Sequence, residues 1–192
     1  MNSPYYLLFD FETTGIGFFK QQRAIQLAWM ICDAKLQIFE KKNFFISEQT
    51  EINTNFHTDL SIDFLNKNGK KIEHVLNIFL EDIEVIIKNN GKLVAHNIDF
   101  DLSILFNEIR LSDIKYNRNM LDLMNYSFCT MVNSVDLCKI NSHAFNGKKY
   151  PRLVELYKHF FKKNPSVKLH KADNDVEILY ACLYEIRKIR KI

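Results

Sequence analysis

The stretch Tyr5-Tyr6-Leu7-Leu8-Phe9-Asp10-Phe11-Glu12-Thr13-Thr14-Gly15 governs how the rest of the sequence is interpreted. Residues 5–9 form a nearly continuous apolar run, which is typical of a short strand covered on both faces. The run ends abruptly in two acids. Because residues two apart in an extended segment point to the same side, Asp10 and Glu12 can present both carboxylates to one cation. A solvated strand end or turn is the alternative for this motif taken alone.

Two further strands are predicted directly after the first. They cover residues 24–32 and 36–46, and Asp33-Ala34-Lys35 between them suits a tight hairpin turn. Three early strands joined in this way imply a sheet with an antiparallel part.

Helical periodicity dominates several later segments. The clearest is residues 71–89, where apolar residues recur at helical spacing until Asn90-Gly91 supplies a stop. The remaining predicted elements are a buried strand at residues 92–95 and helices at residues 99–109, 152–161 and 175–189. Alternating strands and helices predict an α/β fold. Residues 111–150 show no clear pattern, apart from a strand end or short helix within residues 128–138.

Composition limits the class of protein. The 192 residues are 47% hydrophobic with three prolines and five glycines, which predicts one globular domain over residues 1–192. A net charge of +3 permits a polyanionic partner without requiring one. The four cysteines lack Cys-x-x-Cys spacing, so neither a zinc site nor a disulfide framework is suggested. With no apolar run near the roughly 20 residues of a membrane span, we expect a soluble cytoplasmic protein.

A second group of acids follows the strand predicted at residues 92–95. Asp99 and Asp101 lie where a helix is predicted to begin. Acids near a helix N-terminus are stabilising by roughly 1 kcal/mol or less, so we predict that Asp99 caps the helix and Asp101 binds metal. His96 and Asn97 precede them, and the alternative for this pair is a polar turn that satisfies local backbone groups.

A third group precedes the C-terminal helix. Five residues correspond to roughly 140° around a helix, so His170 and Asp175 cannot share one stripe. His170 is therefore expected in the preceding loop, where it can act as a general base. Helix capping by Asp173 is the alternative for this segment.

Together the three groups offer four carboxylates and one histidine. Clustered carboxylates repel one another and raise each other's pKa, so such a cluster needs cations to stay ionised. Oxygen ligands without thiolates point to Mg²⁺ or Mn²⁺.

These motifs resemble those of the DEDD exonucleases of the histidine subclass, the family of the DNA polymerase III epsilon proofreading subunit, RNase T, oligoribonuclease and the mammalian three-prime repair exonucleases. The first motif is residues 9–15, the second is residues 95–101 and the third is residues 170–175. Residues 23–28 also look like the family's second strand. The resemblance implies a ribonuclease-H-like fold with a mixed five-stranded sheet flanked by helices. It also implies that His170 is the general base and that the metal-binding carboxylates are Asp10, Glu12, Asp101 and Asp175.

The activity implied is release of nucleoside 5′-monophosphates from a nucleic-acid 3′ end with two Mg²⁺ or Mn²⁺ ions. A DNA exonuclease acting on single-stranded or frayed ends in proofreading or repair is favoured. An exoribonuclease resembling RNase T or oligoribonuclease is the enzyme alternative, and an inactive nucleic-acid-binding or polymerase-docking module is a third. A polymerase partner and a homodimer are both left open.

Several residues are candidates to hold the substrate, namely Thr13, Thr14, Gly15, His96, Asn97 and Phe100. Core packing is the alternative for Phe11 and Phe100. The basic residues that could follow a phosphate backbone, or could equally form solvated faces, are Lys148, Lys149, Arg187, Lys188, Arg190 and Lys191. The sequence departs from the family pattern at Asp99, Cys129-Thr130 and Val176, and none of these departures removes a metal ligand.

Overall fold

The computed structural model describes residues 3–15, 22–47, 51–52, 60–142 and 147–190. Within them a mixed five-stranded sheet has the order β3-β2-β1-β4-β5. Its strands are β1 (Pro4–Thr13), β2 (Ala24–Asp33), β3 (Ile38–Phe45), β4 (Lys92–Ala95) and β5 (Ser127–Cys129). Strands β1, β2 and β3 pair antiparallel, whereas β4 pairs parallel with both β1 and β5. The predicted α/β fold with a mixed five-stranded sheet is confirmed.

Helices cover both faces of this sheet. They are α1 (Ile62–Asn68), α2 (Ile72–Lys88), α3 (Ile98–Leu111), α4 (Met120–Met124), α5 (Thr130–Asn133), α6 (Val135–Cys138), α7 (Leu153–Phe161) and α8 (Ala172–Ile189). Apolar residues of α2 and α3 pack on one face, and those of α8 pack on the other. In the described part of the chain, no helix combines the length and apolar character needed to cross a membrane.

Strand β1 is longer than predicted. It continues through Asp10 and Glu12, which pair with Ala28 and Gln26 of β2. Its parallel pairing with β4, in contrast, covers only residues 6–8. The antiparallel partner extends the strand beyond the apolar run, so the two acids lie within β1 at its carboxyl end rather than after it.

Residues 111–150 contain elements too short to be predicted from hydrophobic periodicity. The strand end or short helix expected within residues 128–138 is present as β5 followed by α5 and α6. A two-stranded hairpin follows, formed by β6 (Asn141–Ser142) and β7 (Gly147–Lys148). Elements of two to four residues are too short to show a period of 2 or 3.6.

Two helix starts correct the capping predictions. Asn97 occupies the N-cap of α3 at φ 77°, and Asp99 lies exposed in the first turn. Asp99 can therefore act on the helix dipole, but it is not the cap. Helix α8 begins at Ala172, three residues earlier than predicted, with Lys171 at its N-cap. This excludes Asp173 as the N-cap residue as well.

Candidate active site

The first-motif acids are oriented by the core on the opposite side of β1. Phe9 and Phe11 pack against Phe79 of α2, with ring centroids 5.3 and 6.1 Å from it. Phe11 is 4% exposed, so core packing is what the structure shows for it. Because side chains alternate along a strand, burial of these two rings turns Asp10 and Glu12 toward the other face.

The second-motif acid is tied directly to the first motif. Asp101 lies in the first turn of α3 and is 2% exposed. Its Oδ1 accepts a hydrogen bond from the backbone N–H of Phe11 at 3.1 Å. Phe11 separates Asp10 from Glu12, so this contact fixes Asp101 beside both first-motif acids.

The third motif completes the cluster. Glu12, His170 and Asp175 each have one ligand atom in a group whose members all lie within 4.8 Å of one another. The backbone of His170 is left-handed at φ 61°, and its N–H donates to Oδ2 of Asp175 at 3.1 Å. Oδ1 of Asp175 is buried and has no hydrogen-bond partner among the described residues. A buried carboxylate oxygen of this kind suits a metal ligand.

Electrostatics also favours a cation here. Burial, followed by repulsion from Asp101, Asp175 and Glu12, raises the pKa of Asp10 well above its ordinary value. Burial and then Asp175 raise the pKa of Glu12 to about 8. Burial raises the pKa of Asp101, although the hydrogen bond from the Phe11 N–H lowers it in part. Burial also raises the pKa of Asp175 to about 6, and the hydrogen bond from the His170 N–H acts in the opposite direction. Four such acids can all ionise near neutral pH only with positive charge beside them, so the donor set fits divalent cations.

Comparison with known proteins assigns the family. A family model described as an exonuclease, RNase_T, matches residues 7–183. The chain belongs to this exonuclease family. No curated protein matches the sequence.

Solved structures of exonuclease I share the fold. One has a TM-score of 0.77 at 16% identity, covering 98% of this chain and 41% of that chain. The E. coli enzyme in complex with a dT13 oligonucleotide has a TM-score of 0.73 at 16% identity, covering 96% and 41%. A zinc-bound E. coli complex with single-stranded DNA has a TM-score of 0.74 at 15% identity, covering 99% and 41%. The chain thus spans less than half the length of these exonuclease I chains.

A polar network that sequence reasoning missed supports the exonuclease first motif. Glu108 of α3 is fully buried and accepts hydrogen bonds from the Arg23 guanidinium at 3.0 Å and from the backbone N–H of Ala24 at 2.7 Å. The backbone N–H of Thr14 donates to the Arg23 carbonyl, and Thr14 Oγ1 accepts from the Arg23 N–H. The one signal in the sequence was an acid on the inward side of an amphipathic helix.

Of the three first-motif residues proposed to hold substrate, Thr14 takes part in this network. Thr14 is buried, whereas Thr13 is half-buried and its hydroxyl donates to Gln22 Oε1 at 3.1 Å. Gly15 has φ 63°, a conformation that favours glycine. Thr13 therefore follows Glu12 at the end of β1, and Thr14 shapes the turn that leads to Gly15.

His96 is engaged inside the protein. Its Nε2 lies 2.9 Å from the Pro151 carbonyl, which can only accept, so Nε2 carries the proton. Its Nδ1 lies 3.0 Å from the Thr130 hydroxyl, which is also 3.3 Å from the Ala95 carbonyl. Burial lowers the pKa of His96 to about 4, which keeps the ring neutral. Both nitrogens are thus used in positioning contacts between β4, α5 and the segment before α7.

The other proposed contacts are with the core or in ion pairs. Phe100 is half-buried against the core on the α2 and α3 face, as the core-packing alternative expected. Lys148 pairs with Asp136 at 2.7 Å, and Lys149 pairs with Glu155 at 2.8 Å. Lys191 lies outside the described residues.

Proposed function

We propose that this chain hydrolyses the terminal phosphodiester at a nucleic-acid 3′ end and releases nucleoside 5′-monophosphates. The observation that carries the proposal is the group formed by Glu12, His170 and Asp175, whose ligand atoms lie within 4.8 Å of one another. Asp10 and Asp101 stand close enough to this group that, after burial, the charge of Glu12 helps to raise the pKa of both. Membership of the exonuclease family gives independent support.

The four carboxylates of the cluster would hold two Mg²⁺ or Mn²⁺ ions, because hard divalent cations prefer oxygen ligands. Ions bound there supply Lewis-acid stabilisation of the charge that develops during phosphodiester hydrolysis. The protein's contribution is to fix Asp10 and Glu12 on β1 and to fix Asp101 and Asp175 on two helices, α3 and α8, that both pack against this strand.

His170 is proposed to take the proton of the attacking water. Its side chain is exposed at the site, while its backbone is anchored to Asp175 through the N–H. An imidazole titrating near neutral pH can accept that proton when the ring is neutral.

Single-stranded or frayed DNA 3′ ends are the proposed substrate, in proofreading or repair. The solved exonuclease I structures include complexes with a dT13 oligonucleotide and with single-stranded DNA, which supports this choice. RNA ends remain the competing substrate, and the 2′-hydroxyl is the feature by which a protein distinguishes the two. A polymerase partner or a homodimer would be sought only after the substrate is known.

The test is cleavage of matched 5′-labelled DNA and RNA oligonucleotides, side by side, with Mg²⁺, Mn²⁺ or a chelator. We expect a ladder shortened from the 3′ end, nucleoside 5′-monophosphates by mass spectrometry, and faster cleavage of DNA. Circular single-stranded DNA should resist, and Asp10→Asn should be inactive. Cleavage of the circle, or activity that survives the chelator, would contradict the proposal, and faster cleavage of RNA would reassign the substrate.

A further inference from the structure

Helix α8 carries Asp175, yet its N-terminus is held by a residue of another element. The N-cap residue is Lys171, whose ammonium group has no acceptor to offer a backbone N–H. Gln26 of β2 supplies one instead: its Oε1 accepts the N–H of Ala172 at 3.2 Å. Gln26 is 1% exposed and lies 146 residues away in the chain.

The other end of the same amide holds the next helical residue. Gln26 Nε2 donates to Asp173 Oδ1 at 3.1 Å and to Asn43 Oδ1 at 2.9 Å. The carbonyl and the amino group are therefore both used, one on the backbone and one on a side chain of α8. A carboxylate of the same shape could accept from Ala172 but could not donate to Asp173.

Gln26 is also the direct cross-strand partner of Glu12. Directly opposed residues of an antiparallel pair have side chains on the same face of the sheet. Glu12 and Gln26 therefore lie side by side on the β1–β2 pair, and Gln26 makes the contact that holds the N-terminus of α8.

The distance from this contact to the third motif is short. Asp175 is three residues beyond Ala172, about 4.5 Å along a helix axis. Further along α8, Val176, Leu179 and Leu183 pack in the core, the Tyr180 hydroxyl donates to the Leu36 carbonyl at 2.7 Å, and Glu177 pairs with Lys41. The hydrogen bonds of Gln26 to Ala172 and Asp173 are the directional contacts with β2 at the end of α8 that carries the third motif, so they set the position of that end on the sheet.

We propose that Gln26 is the positioning residue that sets Asp175 and His170 against Glu12, so that the ligand group is preformed. Its amide joins α8 to the strand pair carrying the first motif. The inference rests on the proposed function for its catalytic meaning, but the geometry it describes can be measured without substrate.

The experiment compares Gln26→Glu, Asp173→Asn and their double variant. Gln26→Glu places two carboxylates face to face, and we expect Mn²⁺ affinity to fall about 10- to 100-fold, the usual effect of disturbing a partner behind a metal ligand. In the double variant the amide introduced at position 173 can donate to the carboxylate introduced at position 26, so most of this loss should be recovered. Gln37→Glu makes the same chemical change at an exposed turn position and serves as the matched control.

Mn²⁺ binding is measured by electron paramagnetic resonance, and hydrogen exchange at the Ala172 amide reports the contact itself. Exchange there should accelerate in Gln26→Glu and slow again in the double variant, with kcat following Mn²⁺ affinity. Gln26→Met, which keeps the shape without hydrogen bonds, replaces Gln26→Glu if that variant does not fold.

A loss of melting temperature alone, with Mn²⁺ affinity and kcat within twofold of wild type, would overturn the proposal. Absence of rescue in the double variant would overturn it too. If the wild-type chain cleaves no nucleic acid, the proposed function fails, whereas the Mn²⁺ and exchange measurements still decide the role of Gln26.

Discussion

The backbone N–H of His170 donates to Oδ2 of Asp175, so the main chain of His170 positions this carboxylate while its imidazole is left for general-base catalysis. The bond uses a main-chain group that every residue except proline possesses. The imidazole is not needed for it. Removing the ring should therefore leave the carboxylate in position.

We expect His170→Ala to lower turnover by about 10² to 10⁴, the usual contribution of a general base, while Mn²⁺ still binds. Because the backbone is left-handed at position 170, His170→Gly and His170→Asn are better tolerated and serve as controls for strain. Single-turnover kinetics across pH should show an acidic limb in the wild type that is lost in all three variants. A variant within threefold of wild-type turnover, with the same pH profile, would remove His170 from the mechanism.

Asp101 and Asp99 should respond differently to the same change. Asp101→Asn removes a buried charge from the cluster but keeps an oxygen for the Phe11 N–H, so we expect a folded, nearly inactive protein. Asp99 is exposed in the first turn of α3, so Asp99→Asn should cost about 0.3 to 1 kcal/mol and little activity. Nucleotide release and thermal melting measure the two effects. Comparable losses of activity in both variants would show that the assignment of Asp101, rather than Asp99, as the metal ligand of the second motif is wrong.

Metal-free protein should become less stable as pH rises. Glu12 has an ordinary pKa of 4.5 that is raised to about 8, so the folded state holds a proton that the unfolded state releases. The stability contributed is complete below pH 4.5 and is lost as the pH rises toward 8. Melting curves in chelator from about pH 5 to 8 should show this fall. Glu12→Gln should reduce this fall in melting temperature, and Mn²⁺ should oppose the fall in the wild type. A melting temperature that rises with pH in chelator would refute the raised pKa of Glu12.

Burial of His96 makes one contribution to stability that is lost on the acid side. Burial lowers its pKa from 6.5 to about 4, so the unfolded state binds the proton more readily, and the contribution of His96 alone is lost as the pH drops from 6.5 toward 4, opposite in sign to that of Glu12. Thr130→Val removes the buried hydroxyl that contacts both His96 Nδ1 and the Ala95 carbonyl, and it should cost about 1 to 3 kcal/mol. Urea denaturation at neutral pH measures that cost. An unchanged midpoint would mean that the hydroxyl contributes nothing to the fold.

Local pattern was enough to predict strands β1 to β4, the long helix α2 and the acids that meet in the cluster, whereas the five-stranded sheet was implied by the family resemblance. Each of those acids follows or begins an element that is predictable from its own residues, as Asp10 follows the apolar run of β1. Gln26 and Glu108 could not be predicted in the same way. Their partners lie 146 and 84 residues away, so no spacing along the chain reports the contact. The end of β1 was misplaced because its last residues are supported by β2 rather than by their own hydrophobicity.

Strand β1 runs past the end of its pairing with β4, and the Asp101 carboxylate accepts the Phe11 N–H where a further strand residue would have done so. The Phe11 amide proton is therefore in direct contact with the buried Asp101 carboxylate, so its environment changes when that carboxylate ionises. In a nitrogen-15-labelled sample, the Phe11 amide resonance should move as that acid gains or loses its proton and as a diamagnetic Mg²⁺ ion arrives. The fold has placed a spectroscopic reporter inside the site, readable without substrate and without altering a side chain.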